Sequence, residues 1–273
     1  MLVHCPGPVL KWPGGKWSSV NWLLQYLPPH DLYLETHFGS GALLFSKPPC
    51  GWEWINDIDG NVVRLYRVLR ERPEELIRAM TLTPYAREEW EQAKQAPEEE
   101  GEVEQTRYFL VRHWQSLHYT TGGWRITRSA NAAAASVWAG LPERLAFAAR
   151  RLRAVHVECR PALEILGRYQ DPRVLVYADP PYLRDTRGGD WYPQEMTDTD
   201  HQELLGALRA HPGPVMLSGY ANSLYDEMLP DWTVARRKSR AVTAGERTEI
   251  LWLNPATVGR LSQRSLFNLE EAP

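Results

Sequence analysis

The stretch Val174-Leu175-Val176-Tyr177-Ala178-Asp179-Pro180-Pro181-Tyr182 decides the fold. An unbroken apolar run without alternation is the pattern of a strand buried on both faces. Two prolines then stop it, because each lacks an N–H and fixes φ. Working outward, Tyr33-Leu34-Glu35, Glu53-Trp54-Ile55, Val155-His156-Val157, Pro214-Val215-Met216-Leu217, Thr233-Val234-Ala235 and Ile250-Leu251-Trp252-Leu253 read as further strands. Helical patterns lie between them. Asp59 can cap a helix with the stripe Val62, Val63, Tyr66 and Leu69, and Asp198 or Thr199 one carrying Leu204, Leu205 and Leu208. Strands alternating with helices predict an α/β fold with a largely parallel sheet, and the short connection between the last two strands predicts an antiparallel edge hairpin.

The alternation breaks between about Tyr85 and Arg153, where the spacing is helical (Tyr108, Phe109, Val111, Arg112; Leu145, Ala146, Ala149, Leu152) and no strand stands out. Charge is sorted there. Residues 85–103 hold seven acids and two bases, a balance of -5; residues 104–160 hold nine arginines and three glutamates, a balance of +6. This predicts an inserted helical subdomain with a solvated acidic part and an arginine-rich part. Charge alone favours an ordinary helix pair with salt-bridged faces.

The whole chain has 273 residues, of which 43% are hydrophobic and 24% charged, enough to build a core without disulfide or metal staples. No stretch approaches the roughly 20 apolar residues of a membrane span. Met1 to Leu10 has neither the basic nor the apolar part of a signal peptide. Cys5, Cys50 and Cys159 are an odd, widely spaced set, which predicts a reducing cytoplasm, and Cys159 reads as a buried structural thiol. His113 and His118 are five apart, so they share no helix face and predict no metal site. His201 reads as a packing residue, and Trp90, Trp114, Trp138, Trp191 and Trp232 as core. The net charge of -3 argues against a surface built throughout for polyanions, so any nucleic-acid contact must be local.

Tyr33-Leu34-Glu35-Thr36-His37-Phe38-Gly39-Ser40-Gly41-Ala42 is a strand, a glycine turn and a helix start, which lets a ligand approach the backbone. Asn56-Asp57 ends the next strand, where a carboxylate in an α/β fold takes a ribose diol. Leu44 replaces the third glycine of a dinucleotide fingerprint, so the pattern suits a nucleoside. Leu10-Lys11-Trp12-Pro13-Gly14-Gly15-Lys16 is no P-loop. Its first glycine is missing and Trp17 stands at the magnesium-ligand position, which leaves a flexible turn presenting Trp12 and Lys16.

Asp179-Pro180-Pro181-Tyr182 carries the most specific chemistry; average residue usage produces it by chance in about one chain per thousand of this length. An exocyclic amino group on a base is a poor nucleophile because its lone pair is delocalised into the ring. The Asp179 carboxylate and the Pro180 carbonyl can each accept one of its N–H bonds, which pulls the nitrogen toward tetrahedral geometry and aims its lone pair. The two prolines make a stiff platform, and Tyr182 can stack on the base, a contact of roughly 1–3 kcal/mol.

Lys11-Trp12-Pro13-Gly14-Gly15-Lys16, Phe38-Gly39-Ser40-Gly41, Asn56-Asp57-Ile58-Asp59 and Asp179-Pro180-Pro181-Tyr182, in this order, resemble the Dam-like (D12 class) DNA adenine-N6 methyltransferases over about residues 9–254. The resemblance implies a Rossmann-like mixed seven-stranded sheet, with a catalytic domain over 1–84 and 154–273 and a helical target-recognition insertion over 85–153. It implies S-adenosylmethionine as methyl donor and no metal. Trp12, Lys16, Glu35, Phe38, Gly39, Gly41, Asp57 and Asp179 would line the cofactor site, with Asp57 on the ribose. Asp179, Pro180, Pro181 and Tyr182 would be catalytic, acting on an adenine flipped out of double-stranded DNA.

Two departures matter. His37 stands where family members often have proline or phenylalanine, and Leu117-His118-Tyr119-Thr120-Thr121-Gly122-Gly123-Trp124-Arg125 replaces the recognition signature of GATC-methylating members. GATC is therefore not implied as the target. Arg107, Arg112, Arg125, Arg128, Arg237 and Lys238 are the candidate DNA contacts, with Arg125 and Arg128 beside the glycine pair best suited to base reading. Other readings are methyl transfer to cytosine N4 or RNA, and a non-catalytic cofactor- or DNA-binding relative; the intact tetrapeptide and glycine turn favour an enzyme. A cytoplasmic monomer, with a separate cognate restriction endonuclease as one candidate partner, completes the expectation.

Overall fold

The computed structural model describes residues 6–95, 99–118, 121–126, 134–186, 192, 194–241 and 245–270, without the side chains of 121, 239–241, 245–247 and 264–270. Nine strands occur in chain order among these residues: β1 (Leu32–Glu35), β2 (Trp52–Asn56), β3 (Ser116–His118), β4 (Thr121–Trp124), β5 (Val155–Glu158), β6 (Val174–Ala178), β7 (Val215–Tyr220), β8 (Thr233–Ala241) and β9 (Gly245–Leu253). Seven form one mixed sheet in the order β5-β2-β1-β6-β7-β9-β8. β1 pairs parallel with β2 and β6, and β6 parallel with β7. β9 is antiparallel to both β7 and β8, which bears out the terminal hairpin with β8 at the edge. β8 carries Arg236, Arg237 and Lys238, charges that discourage pairing with another chain at an open edge.

Two compact units result. One comprises Asn21–Phe38, Pro49–Asp59 and Glu158–Pro273. Its core gathers Leu34, Val174, Val176, Val215, Leu217, Ile250 and Trp252 from the strands. Ile165, Leu204, Leu205 and Leu208 join from the helices Ala162–Arg168 and Asp198–Ala210. Every residue of β6 is buried, as expected where both faces are covered. The helix at 198 is capped by Thr197, one residue before Asp198 and two before Thr199, the expected caps. The Asp200 amide donates to Thr197 Oγ1 at 3.2 Å, and the Thr197 amide donates to Asp200 Oδ2 at 2.7 Å. This reciprocal pair satisfies two amides at once, which a lone Asp198 or Thr199 could not.

The other unit comprises Met1–Val20, Gly39–Pro48 and Gly60–Val157. The helices Gly60–Glu71, Pro73–Leu82, Arg87–Gln95, Glu102–Gln115 and Leu141–Leu152 dominate it. Val62, Leu65, Leu69, Leu76, Leu110, Trp114, Leu145 and Leu152 are buried among them. The stretch expected to be free of strands contains one hairpin, with Ser116 opposite Trp124 and His118 opposite Thr121. Gly122, at φ +82, takes a backbone conformation that disfavours other residues, and glycine contributes nothing to an apolar pattern.

Candidate active site

β6 lies between β1 and β7 and parallel to both, so its carboxyl end, which carries Asp179, is where open α/β sheets bind ligands. Pro180 is buried and Tyr182 is 6% exposed. The Tyr182 ring meets Tyr220, at the end of β7, edge to face with centroids 4.5 Å apart. Burial, then the negative charges of Asp179 and Glu249, push the Tyr182 phenol well above its ordinary pKa, so it stays protonated at neutral pH. Behind the tetrapeptide, the hydroxyls of Tyr177 and Ser218 share a 2.8 Å hydrogen bond that ties β6 to β7.

At the neighbouring strand ends stand two more carboxylates. Glu35 is 2% exposed and accepts a 2.6 Å hydrogen bond from the Tyr33 hydroxyl, two residues back on the same strand face. Asp57 is 8% exposed, and its Oδ1 accepts from the Asp59 amide at 2.9 Å, a turn that fixes the carboxylate at the end of β2. Phe38 is buried, and its amide donates to the Asn56 carbonyl at 2.9 Å. His37 shares a 2.9 Å hydrogen bond with Thr36 Oγ1; burial, then His201, hold its imidazole down to about 4, so it is neutral at physiological pH. His201 is fully buried and bonded to the Tyr225 hydroxyl at 2.9 Å, in keeping with a packing role.

In the helical unit, Trp12 sits against the glycine turn. A Cβ placed on Gly39, whose φ is +47, would lie 2.6 Å from Trp12 Cδ1. Gly41, at φ +65, precedes the helix Ala42–Ser46, and the Tyr66 hydroxyl donates to the Gly39 carbonyl at 3.0 Å. His113 stacks on Trp12, with centroids 5.6 Å apart and planes at 19°. Lys16 is 5% exposed and its ammonium donates to the Gly14 carbonyl. The expected flexible, presenting turn is instead folded back, and its lysine is buried.

The candidate cations differ in what they touch. Arg107 donates to Glu89 at 2.7 Å and to Glu104 at 2.8 Å. Arg112 donates to the Ala93 carbonyl at 2.7 Å. Arg125 follows β4 and is anchored through its backbone. Its amide donates to the Gln115 carbonyl and its carbonyl accepts from the Tyr85 hydroxyl, both at 2.7 Å. Burial, then Arg125 and Arg144, hold the Lys11 ammonium down to about 8. Arg237 is half-buried on β8, and Lys238 beside it is exposed. Arg128 and Trp191 lie outside the described residues. Trp90, Trp114, Trp138 and Trp232 are buried, as expected.

A further expectation is corrected. Cys159 is exposed, because it follows β5 at a strand end and not inside the sheet. Sequence reasoning missed Tyr220, Tyr66 and the side chain of Asn56. For Tyr220, the position at the carboxyl end of a strand parallel to β6 was the available signal. No cluster of three or more His, Cys, Asp or Glu side chains suited to a metal ion occurs among the described residues. Nor is any helix among them long and apolar enough to cross a membrane.

Comparison with known proteins adds an independent line. One similar protein is the Type II methyltransferase M1.LlaDCHI of Lactococcus lactis subsp. cremoris, 36% identical over 76 residues, covering 27% of this chain and 26% of that protein. Another is a DNA adenine methylase of Serratia marcescens, 28% identical over 69 residues, covering 25% of each chain. These matches thus span about a quarter of the relatives' length. Residues 12–242 match the family model for D12 class N6 adenine-specific DNA methyltransferase, a span that holds the glycine turn, Asp57 and the whole Asp179–Tyr182 platform. The chain belongs to the D12 class N6 adenine-specific DNA methyltransferase family.

Proposed function

We propose that this protein transfers a methyl group from S-adenosylmethionine to the N6 amino group of an adenine flipped out of double-stranded DNA. The observation that carries the reading is the Asp179-Pro180-Pro181-Tyr182 platform at the carboxyl end of the central, fully buried β6. The donor set suits the cofactor. Buried carboxylates at the ends of adjacent strands, Glu35 and Asp57, match a ligand that carries an ammonium and a ribose diol. Trp12, Lys16, Phe38, Gly39 and Gly41 take their cofactor roles from the family motif. When bound, the cofactor supplies an electrophilic methyl on a sulfonium.

The chain's own residues orient and polarise the base. Asp179 and the Pro180 carbonyl accept the two N–H bonds of the amino group, which localises the nitrogen lone pair. Pro181 keeps that carbonyl aimed, and Tyr182 offers a neutral aromatic face, itself backed by Tyr220. Extruding the base costs a few kcal/mol, which phosphate and base contacts offset. For these we assign Arg125, Arg237 and Lys238 first; Arg107 and Arg112 direct guanidinium donors into their own unit. Residues 85–153 serve as the target-recognition insertion, and the protein works as a cytoplasmic monomer.

The test is transfer of labelled methyl from S-adenosylmethionine to duplex DNA, with nucleoside analysis of the product. N6-methyladenine supports the proposal. Label in N4-methylcytosine, or in RNA alone, would replace it with the alternative substrate. Cofactor binding without transfer to any DNA would make the chain a non-catalytic relative.

A further inference from the structure

Asn56 closes β2 and is 1% exposed. Its side-chain amide uses both kinds of polar atom at once. Nδ2 donates to the Thr36 carbonyl and to the Arg160 carbonyl, each at 3.0 Å. Oδ1 accepts from the Arg160 amide, also at 3.0 Å. The Asn56 backbone carbonyl accepts from Phe38, and the Asp57 amide donates to the Glu158 carbonyl at 3.4 Å. One buried side chain therefore joins two segments, the turn after β1 and the residues that leave β5, right beside the carboxylate at the end of β2.

Exposed side chains lie next to these segments in the chain. Ile58, next to Asp57, is 46% exposed, Leu163 is 40% exposed, and Cys159 is exposed between Glu158 and Arg160. Burial, then Asp57 and Asp59, raise the Cys159 thiol above its ordinary pKa, which puts these carboxylates within electrostatic reach of the 158–160 segment. A ribose held by Asp57 would sit next to the segments that Asn56 ties together, because Asp57 follows Asn56 directly in the chain.

We propose that Asn56 is a positioning residue that sets the affinity for the adenosine half of S-adenosylmethionine, an inference that rests on the methyltransferase reading above. Only a primary amide on one methylene fits this pattern. Aspartate has nearly the same shape but cannot donate, so it would set a carboxylate oxygen against two carbonyl oxygens in a buried site. Glutamine is one methylene too long for the same three partners. Asn56 touches no reacting atom, so its removal should weaken cofactor binding more than it slows methyl transfer.

The experiment compares wild type with Asn56→Asp by calorimetric titration with S-adenosylhomocysteine, steady-state kinetics and thermal unfolding. The expected result is a Kd at least tenfold higher and a KM for the cofactor that rises by more than kcat falls. An unchanged Kd with a lower Tm would overturn the proposal, because it would show a purely structural role. Absence of S-adenosylhomocysteine binding to wild type would overturn the methyltransferase reading itself, a failure distinct from the first. Should Asn56→Asp not fold, hydrogen exchange on wild type decides the matter. The Arg160 and Phe38 amides should exchange slowly and slow at least tenfold further on adding S-adenosylhomocysteine; ligand-independent exchange at Arg160 would count against the proposal.

Discussion

Trp12 fills the space that a side chain on residue 39 would need: a Cβ on Gly39 would stand 2.6 Å from Trp12 Cδ1 and 3.0 Å from its Nε1. His113 stacks on the same indole, so retreat from a new methyl group is opposed. Gly39→Ala therefore strains the backbone, at φ +47, and displaces the indole. We expect a loss of about 1–3 kcal/mol in stability and a cofactor Kd raised roughly tenfold or more, read by thermal unfolding and binding titration. A variant with wild-type stability and affinity would show that the turn has room that its geometry denies.

His37 gives a pH signature. Its folded pKa of about 4 lies below the ordinary 6.5, because burial and then His201 disfavour the imidazolium. The associated stability is fully present above about 6.5 and is lost as pH falls toward about 4. His37→Phe should lose less stability than wild type across that window, by a difference on the order of 1–3 kcal/mol. Urea unfolding at pH 7 and pH 4.5 measures this. Parallel losses in both proteins would contradict the assignment.

Tyr182 separates ring from hydroxyl. The phenol stays protonated well past neutral pH, and in the proposed reaction the ring supplies the stacking face. Tyr182→Phe should change kcat/KM for DNA by less than about tenfold, whereas Tyr182→Ala should lose the stacking contact, roughly 1–3 kcal/mol. Steady-state kinetics with a duplex containing one target site checks the ranking. Equal losses in the two variants would move the function to the hydroxyl.

Arg125 follows the β3–β4 hairpin, its backbone pinned to Gln115 and Tyr85. Arg125→Ala should relax or abolish site preference, at about 1–3 kcal/mol for the base pair it reads, with cofactor affinity kept. Long-read sequencing of methylated DNA supplies the profile. An unaltered profile removes Arg125 from base reading.

The parts of this molecule that the sequence announces are those where one residue type has one physical use. The run at 174–178 is apolar throughout because a strand covered on both faces has no polar side, and the prolines after it can only end it. The carboxylate of Asp57 was legible from its place at the end of a strand, and Glu35 only through the family motif. The hairpin at 116–124 was not, since two very short strands around Gly122 and Gly123 carry almost no periodicity. Cys159 misled because thiols are usually buried, and here the strand has already ended. Asn56 and Tyr220 were invisible for another reason: their partners are 20 to 104 residues away in the chain and meet them only through the sheet or the loops it holds together.

In the proposed reaction Asp179 activates an adenine amino group. Its most direct test is transfer of labelled methyl from S-adenosylmethionine to N6 of adenine in duplex DNA, by wild type and by Asp179→Ala. Wild type should yield N6-methyladenine, and the variant a rate at least about 10²-fold lower, the scale for losing one preorganised polar contact in a transition state. Equal incorporation by the two proteins would contradict it.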